Sequence, residues 1–180
     1  MHDEARQRFI DTIQIDPNKA EYHSSLGDVY AAGGEYDKAR QAYVRSISLE
    51  PANLNYHLKA GGNYLKLQQQ DEAGNEFQEA LKTDSNNADA HYNLGKMTAS
   101  VGNYKGAASH LEKAVRLDPT LKEAHYQLGL AYRRLGEREK AAEALGRFGK
   151  LKQAENLAET ERQAQRTIED RSRGSAPQLE

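Results

Sequence analysis

A step of 34 residues constrains this chain more than any other feature. His23, His57, His91 and His125 lie on it, as do Gly27, Gly61, Gly95 and Gly129, and Ala39, Ala73, Ala107 and Ala141. Tyr30, Tyr64 and Tyr132 share another rung, with Thr98 as the exception; Pro17, Pro51 and Pro119 share one more, where Ser85 replaces proline. A fixed period of this length marks stacked supersecondary units, each with an apolar face that only its neighbour covers.

Inside one period the apolar residues recur at three- and four-residue steps, the spacing of a helix face. In the first whole unit Leu26, Val29 and Tyr30 predict a helix over 21–32, which Gly33-Gly34 closes with positive-φ positions. A second helix over 37–49 turns back antiparallel, and Pro51 ends it because proline lacks an N–H and disfavours helix at the residue before it. The same plan gives units at 20–53, 54–87, 88–121 and 122–153. Residues 1–19 hold a half unit, a second helix alone, whose Phe9, Ile10 and Ile13 form an apolar stripe lacking its usual cover. The second unit has the weakest signals, with Gln68-Gln69-Gln70-Asp71 in place of the glycine turn. The last helix of the fourth unit is expected to run on into a C-terminal extension or capping helix over 154–170, with a kink near Gly146 and Gly149. A disordered tail is expected over 171–180, whose Leu179-Glu180 reads as a tag scar.

A glycine inside a helix costs roughly 1 kcal/mol against alanine, and four helices accept that cost at the same rung, so packing is the expected reason. Gly27, Gly61, Gly95 and Gly129 opposite the alanine rung let the two helices of a unit approach closely, while Tyr43, Phe77, Leu111 and Leu145 fill the space toward the next unit.

Composition narrows the function. Net charge is −2, with 25 basic and 27 acidic residues intermixed, which excludes a nucleic-acid footprint or a basic membrane patch. No apolar run approaches the ~20 residues that span a bilayer, and the opening MHDEARQRF is too charged for a secretory signal, so a soluble protein, cytoplasmic by default, is expected. There are no cysteines, no glycine-rich phosphate loop, no HExxH and no GxSxG, so neither an enzyme nor a cofactor is expected. The four histidines are about one helix-packing step (~10 Å) or more apart, too far to share a metal ion that needs ligands within ~2.1 Å. They read as structural replacements for an aromatic residue, and stability is expected to fall below pH ~6 as the rings charge.

These rungs resemble the tetratricopeptide repeat pattern W-x₂-L-G-x₂-Y, then A, F and P. The first unit reads His23, Leu26, Gly27, Tyr30, Ala39, Tyr43 and Pro51; the fourth reads His125, Leu128, Gly129, Tyr132, Ala141 and Leu145, then departs at Gln153. Ala60 and Ser85 depart in the second unit, Thr98 and Leu111 in the third, and histidine replaces tryptophan in all four. The resemblance implies an all-α, right-handed superhelical solenoid of antiparallel hairpins, about four and a half repeats plus a long C-terminal helix. It also implies a concave groove, lined by the first helices, that binds peptides or proteins. At the groove positions Tyr92 and Tyr126 offer flat amphipathic surface, Asn93 and Gln127 match a peptide backbone, and Lys59, Lys96 and Arg133 suit carboxylates. The family's carboxylate clamp for chaperone tails finds only Asn93 in place, so that specialised role is not expected. The functional expectation is a non-catalytic scaffold holding a partner segment. The competing ones are self-association through Phe9, Ile10 and Ile13 or the last helix, and an accessory arm of an enzyme domain lying elsewhere.

Overall fold

The computed structural model describes residues 2–174. Among the described residues there are nine helices and no strand: α1 His2–Ile15, α2 Ala20–Ala32, α3 Tyr36–Leu49, α4 Leu54–Lys66, α5 Gln70–Thr83, α6 Ala88–Ser100, α7 Tyr104–Leu117, α8 Lys122–Leu135 and α9 Arg138–Gly174. From α2 onward they form antiparallel hairpins, α2–α3, α4–α5, α6–α7 and α8–α9, and the second helix of each packs on the first helix of the next. The result is an all-α solenoid.

Each hairpin turns on one left-handed residue. Gly34, Gly102 and Gly136 have φ of 76°, 81° and 80°, and Gln68, on the same 34-residue step, takes φ 61°. The second unit therefore keeps the turn without the glycine that makes it easy. In the first unit only Gly34 is left-handed, since Gly33 has φ −82°. Asparagine side chains cap three helix starts: Asn53 accepts from the Asn55 N–H, Asn87 from that of Ala90 and Asn103 from that of Gly106.

The packing adds a second role to the one expected of the large residues. A Cβ on Gly27, Gly61, Gly95 or Gly129 would stand 2.5, 2.7, 2.7 or 2.6 Å from a side-chain atom of Tyr43, Phe77, Leu111 or Leu145. The large side chain thus lies directly over the glycine of its own hairpin, because only a missing Cβ leaves room for it there. It also reaches the next unit: Tyr43 and Ala39 share a core with Ala60, and Phe77 and Ala73 share one with Leu94. The largest cluster joins Leu111, Leu128, Tyr132 and Ala144 across α7, α8 and α9. A buried polar tie adds to this: Asn63 Nδ2 donates to the Tyr36 carbonyl at 2.9 Å, fastening α4 to the start of α3.

Helix α1 packs on α2, and Arg6 reaches Glu35 at 3.0 Å. Phe9, Ile10 and Ile13, expected as an open stripe, are half-buried; the apolar side chain left to solvent on this helix is Ile15, 85% exposed. Helix α9 is continuous through Gly146 and Gly149, with no break at the expected kink, and 171–174, expected in the tail, are its last turn. The rest of that tail, 175–180, lies outside the described residues. At 37 residues α9 is about 55 Å long, and from 152 onward nearly every described side chain is exposed. An ion pair from Lys122 to Glu155 fastens its middle to the start of α8. No described helix is both long and apolar enough to cross a membrane.

Candidate functional site

The first helices α2, α4, α6 and α8 carry the positions expected to line a groove. Lys59 on α4 reaches back to α2, where Nζ lies 2.6 Å from Asp28 Oδ2 and donates to Ser24 Oγ at 3.1 Å. The other oxygen of Asp28 accepts from the Tyr43 hydroxyl at 2.9 Å. One carboxylate therefore joins α2, α3 and α4. Burial raises the Tyr43 phenol well above its ordinary range, and its bond to Asp28 adds to the rise. Lys59, expected as a cation open to a ligand, is already held by an acid of the neighbouring helix.

A hollow of about 380 Å³ opens across α4, α6 and α8, lined by Leu58, Lys59, Asp89, Tyr92, Asn93, Leu121 and Glu123. It brings together Lys59, Tyr92 and Asn93 from the expected set. Tyr92 is half-buried against the α7–α8 core, and burial, then the Glu123 charge, raises its pKa. Asn93 Nδ2 donates to the Asp89 carbonyl one turn back, which orients the side chain and leaves Oδ1 with no protein donor. Lys96, Gln127 and Arg133 line other surface, and among the described residues none makes an ion pair. Tyr126 faces α9, its ring 5.1 Å from that of Phe148. Sequence reasoning missed Leu121, which sits in a connecting turn off the groove positions, and missed that Asp89 and Glu123 make this hollow acidic on balance.

The comparisons bear on the fold. Tetratricopeptide repeat models match residues 20–53 and 123–151, and a TPR repeat model matches 61–99 and 97–136. The chain belongs to the tetratricopeptide repeat family. Among solved structures, a crystal structure of MamA is 23% identical with TM-score 0.78, over 87% of this chain and 91% of that one. MamA of Desulfovibrio magneticus RS-1 is also 23% identical, with TM-score 0.75 over 85% and 86%. YrrB, described as a TPR protein with an unusual peptide-binding site, is 23% identical with TM-score 0.69 over 90% and 84%. At that identity the likeness is one of fold. Comparison with curated protein sequences gives no match.

The tetratricopeptide frame also explains the histidines that replace its tryptophan. Each places Nε2 against the carbonyl six residues upstream: His23 on Pro17 at 2.9 Å, His57 on Pro51 at 2.9 Å, His91 on Ser85 at 3.2 Å and His125 on Pro119 at 3.0 Å. A carbonyl only accepts, so Nε2 carries the proton and ties each first helix to the turn before it. The second nitrogen, Nδ1, faces the residue 19 positions on, which changes from unit to unit. In the second it is Glu76, 2.7 Å away; in the third it is His110, Nδ1 to Nδ1 at 3.1 Å. In the first and fourth units the equivalent position in the sequence holds an alanine, Ala42 or Ala144.

Proposed function

We propose that this tetratricopeptide repeat chain is a non-catalytic scaffold that holds a segment of a partner protein across α4, α6 and α8. The hollow around Tyr92 and Asn93 carries the reading. It has an apolar floor in Leu58 and Leu121, a flat aromatic wall, and an asparagine whose Oδ1 is oriented to accept from a bound N–H. With Lys59 held by Asp28, Asp89 is the carboxylate left to a ligand and Glu123, 3.8 Å from Lys122, adds to its field, so the segment pairs an apolar anchor with a basic residue. That reverses the acidic ligand which Lys59, Lys96 and Arg133 imply when read one by one. Self-association through α1 has less to rest on, since Phe9, Ile10 and Ile13 are half-buried.

Selection from a displayed random-peptide library tests the reading. Peptides that join a basic residue to an apolar one are expected to be enriched on the wild type and lost on an Asp89→Lys, Glu123→Lys variant, whose exposed substitutions leave the fold intact. Equal recovery by both proteins, or enrichment of acidic peptides by this hollow, overturns it.

A further inference from the structure

A second cavity lies away from that hollow. It measures about 780 Å³ and is walled by α7, α8 and α9. His125 lines it, nine-tenths buried at 9% exposed, and so does Ala144. The 34-residue register gives the cavity its meaning. In the second unit the same histidine rung, His57, faces a carboxylate at the position now held by Ala144, with Nδ1 2.7 Å from Glu76 Oε2. In the third it faces the ring nitrogen of His110. His125 keeps the constant half of this arrangement, Nε2 on the Pro119 carbonyl at 3.0 Å, and among the described residues its Nδ1 has no side-chain hydrogen-bond partner.

Around that vacant position the charge is positive. Four cations, Arg116, Lys140, Arg147 and Lys150, line the cavity against two carboxylates, Glu112 and Glu143. Glu112 already accepts the Tyr132 hydroxyl at 2.6 Å, and Lys140 is held by Glu137 at 2.6 Å. Arg116, Arg147 and Lys150 meet no carboxylate among the described residues. The first unit, which shares the alanine as Ala42, has a thinner surround: His23 is only half-buried, Gln14 and Ser48 stand where the fourth unit has Arg116 and Lys150, and the cations it keeps, Arg45 and Lys38, are held by Asn18 and Glu35. Among the described residues, the fourth unit combines an unpartnered histidine nitrogen, a cavity and a cationic wall.

We infer that this cavity receives a carboxylate from an acidic segment of a partner protein, which takes on His125 the place that Glu76 takes on His57. His125, whose Nε2–H is on the Pro119 carbonyl, takes a proton from solvent at Nδ1 as the carboxylate enters; the carboxylate accepts from that Nδ1–H and is steered by Arg116, Arg147 and Lys150. Its volume exceeds one acidic side chain and its floor includes Val115 and Leu128, so the segment sets an apolar residue beside the acid. The site is separate from the α4–α8 hollow, which calls for a basic ligand, so the two can fail independently.

The test uses labelled short peptides that pair Glu with Leu, their Gln-for-Glu counterparts, and the full chain. The Glu peptides are expected to bind by fluorescence anisotropy, the Gln counterparts at least tenfold more weakly. Addition of a Glu peptide is expected to move the His125 side-chain nitrogens to the doubly protonated pattern in NMR. Ala144→Glu supplies the acid from within, as the second unit does, and is expected to abolish binding with the melting temperature held or raised. Arg147→Ala with Lys150→Ala, both exposed, is expected to weaken binding without touching the core. Equal binding of Glu and Gln peptides, undiminished binding by Ala144→Glu, or no binding of any Glu peptide at millimolar concentration overturns the inference.

Discussion

Gly61 and Gly62 are neighbours on α4 with opposite surroundings, and substituting each in turn isolates the contact on which the solenoid is packed. A Cβ at 61 would stand 2.7 Å from Phe77 Cε1 and 2.9 Å from Cζ, and Phe77, 1% exposed, has nowhere to go. A Cβ at 62 meets nothing within 4 Å. Alanine at either position recovers about 1 kcal/mol of helix propensity. At 61 it also overpacks the core, which typically costs about 1–3 kcal/mol. Gly62→Ala is thus expected to stabilise by about 1 kcal/mol, and Gly61→Ala to range from neutral to about 2 kcal/mol destabilising. Propensity cancels between them, so the gap of about 1–3 kcal/mol belongs to the ring contact alone. Urea unfolding followed by far-UV circular dichroism reads the gap as a shift in midpoint at constant slope. In melting temperature each kcal/mol is worth about 2–4 °C for a chain of this size. Phe77→Leu placed on Gly61→Ala should narrow the gap by removing the atoms in the way. Equal upward shifts for Gly61→Ala and Gly62→Ala would refute the close-approach argument for the whole glycine rung.

Three further outcomes follow from other contacts. Gln68 holds φ 61° where the other units have glycine, a region that strains an L-residue by roughly 1–2 kcal/mol. Gln68→Gly is therefore expected to raise the unfolding midpoint after the unfolded-state entropy of glycine, about 0.5–1 kcal/mol, is subtracted; a fall would show that the strain is not there. His91 and His110 both protonate below the ordinary imidazole range, because burial penalises the charged rings and Lys113 repels them, with His91 adding to the repulsion on His110. Their folded values lie below the unfolded one, so this contribution is full above about pH 6.5 and is lost as pH falls below it. Unfolding free energy should drop on acidification, and His110→Ala should drop less; parallel slopes would remove the pair from the account. The Lys59–Asp28 bridge is over a third exposed at both ends, so Lys59→Met should cost no more than ~1 kcal/mol, shrinking in high salt; a larger, salt-independent loss would mean the lysine acts through something other than charge.

The fold was legible because its information is periodic. His, Gly, Ala and Pro rungs fix the hairpin length, and the glycine–alanine rungs fix how closely the two helices approach. Those are statements about one unit that hold for every copy. What stayed hidden lies off the ladder. Lys59 finds Asp28, 31 residues earlier and in the previous unit, so neither its own unit nor its periodic equivalents point to the bond. Tyr126 has a groove position by count, yet Phe148 on α9 sits beside its ring, and α9 departs from the pattern after Leu145. In the second unit the missing glycine hid a turn that the backbone makes regardless, because the packing of α4 on α5 outweighs the strain of one left-handed glutamine.

The histidine rung shows how such a chain separates what must stay constant from what is free to change. Nε2 does the same work in each unit, tying a helix to the carbonyl before it at 2.9 to 3.2 Å, and that bond serves the fold wherever it occurs. Nδ1 points across the hairpin at a position the fold leaves unconstrained, where the chain has Ala42, Glu76, His110 and Ala144 in turn. A carboxylate, a second imidazole and an alanine can all occupy that place because the shared bond has already positioned the imidazole. What differs between units is therefore the surroundings of the second nitrogen, and in the fourth unit, where His125 lines a cavity, that difference is the basis of the proposed acidic-segment site.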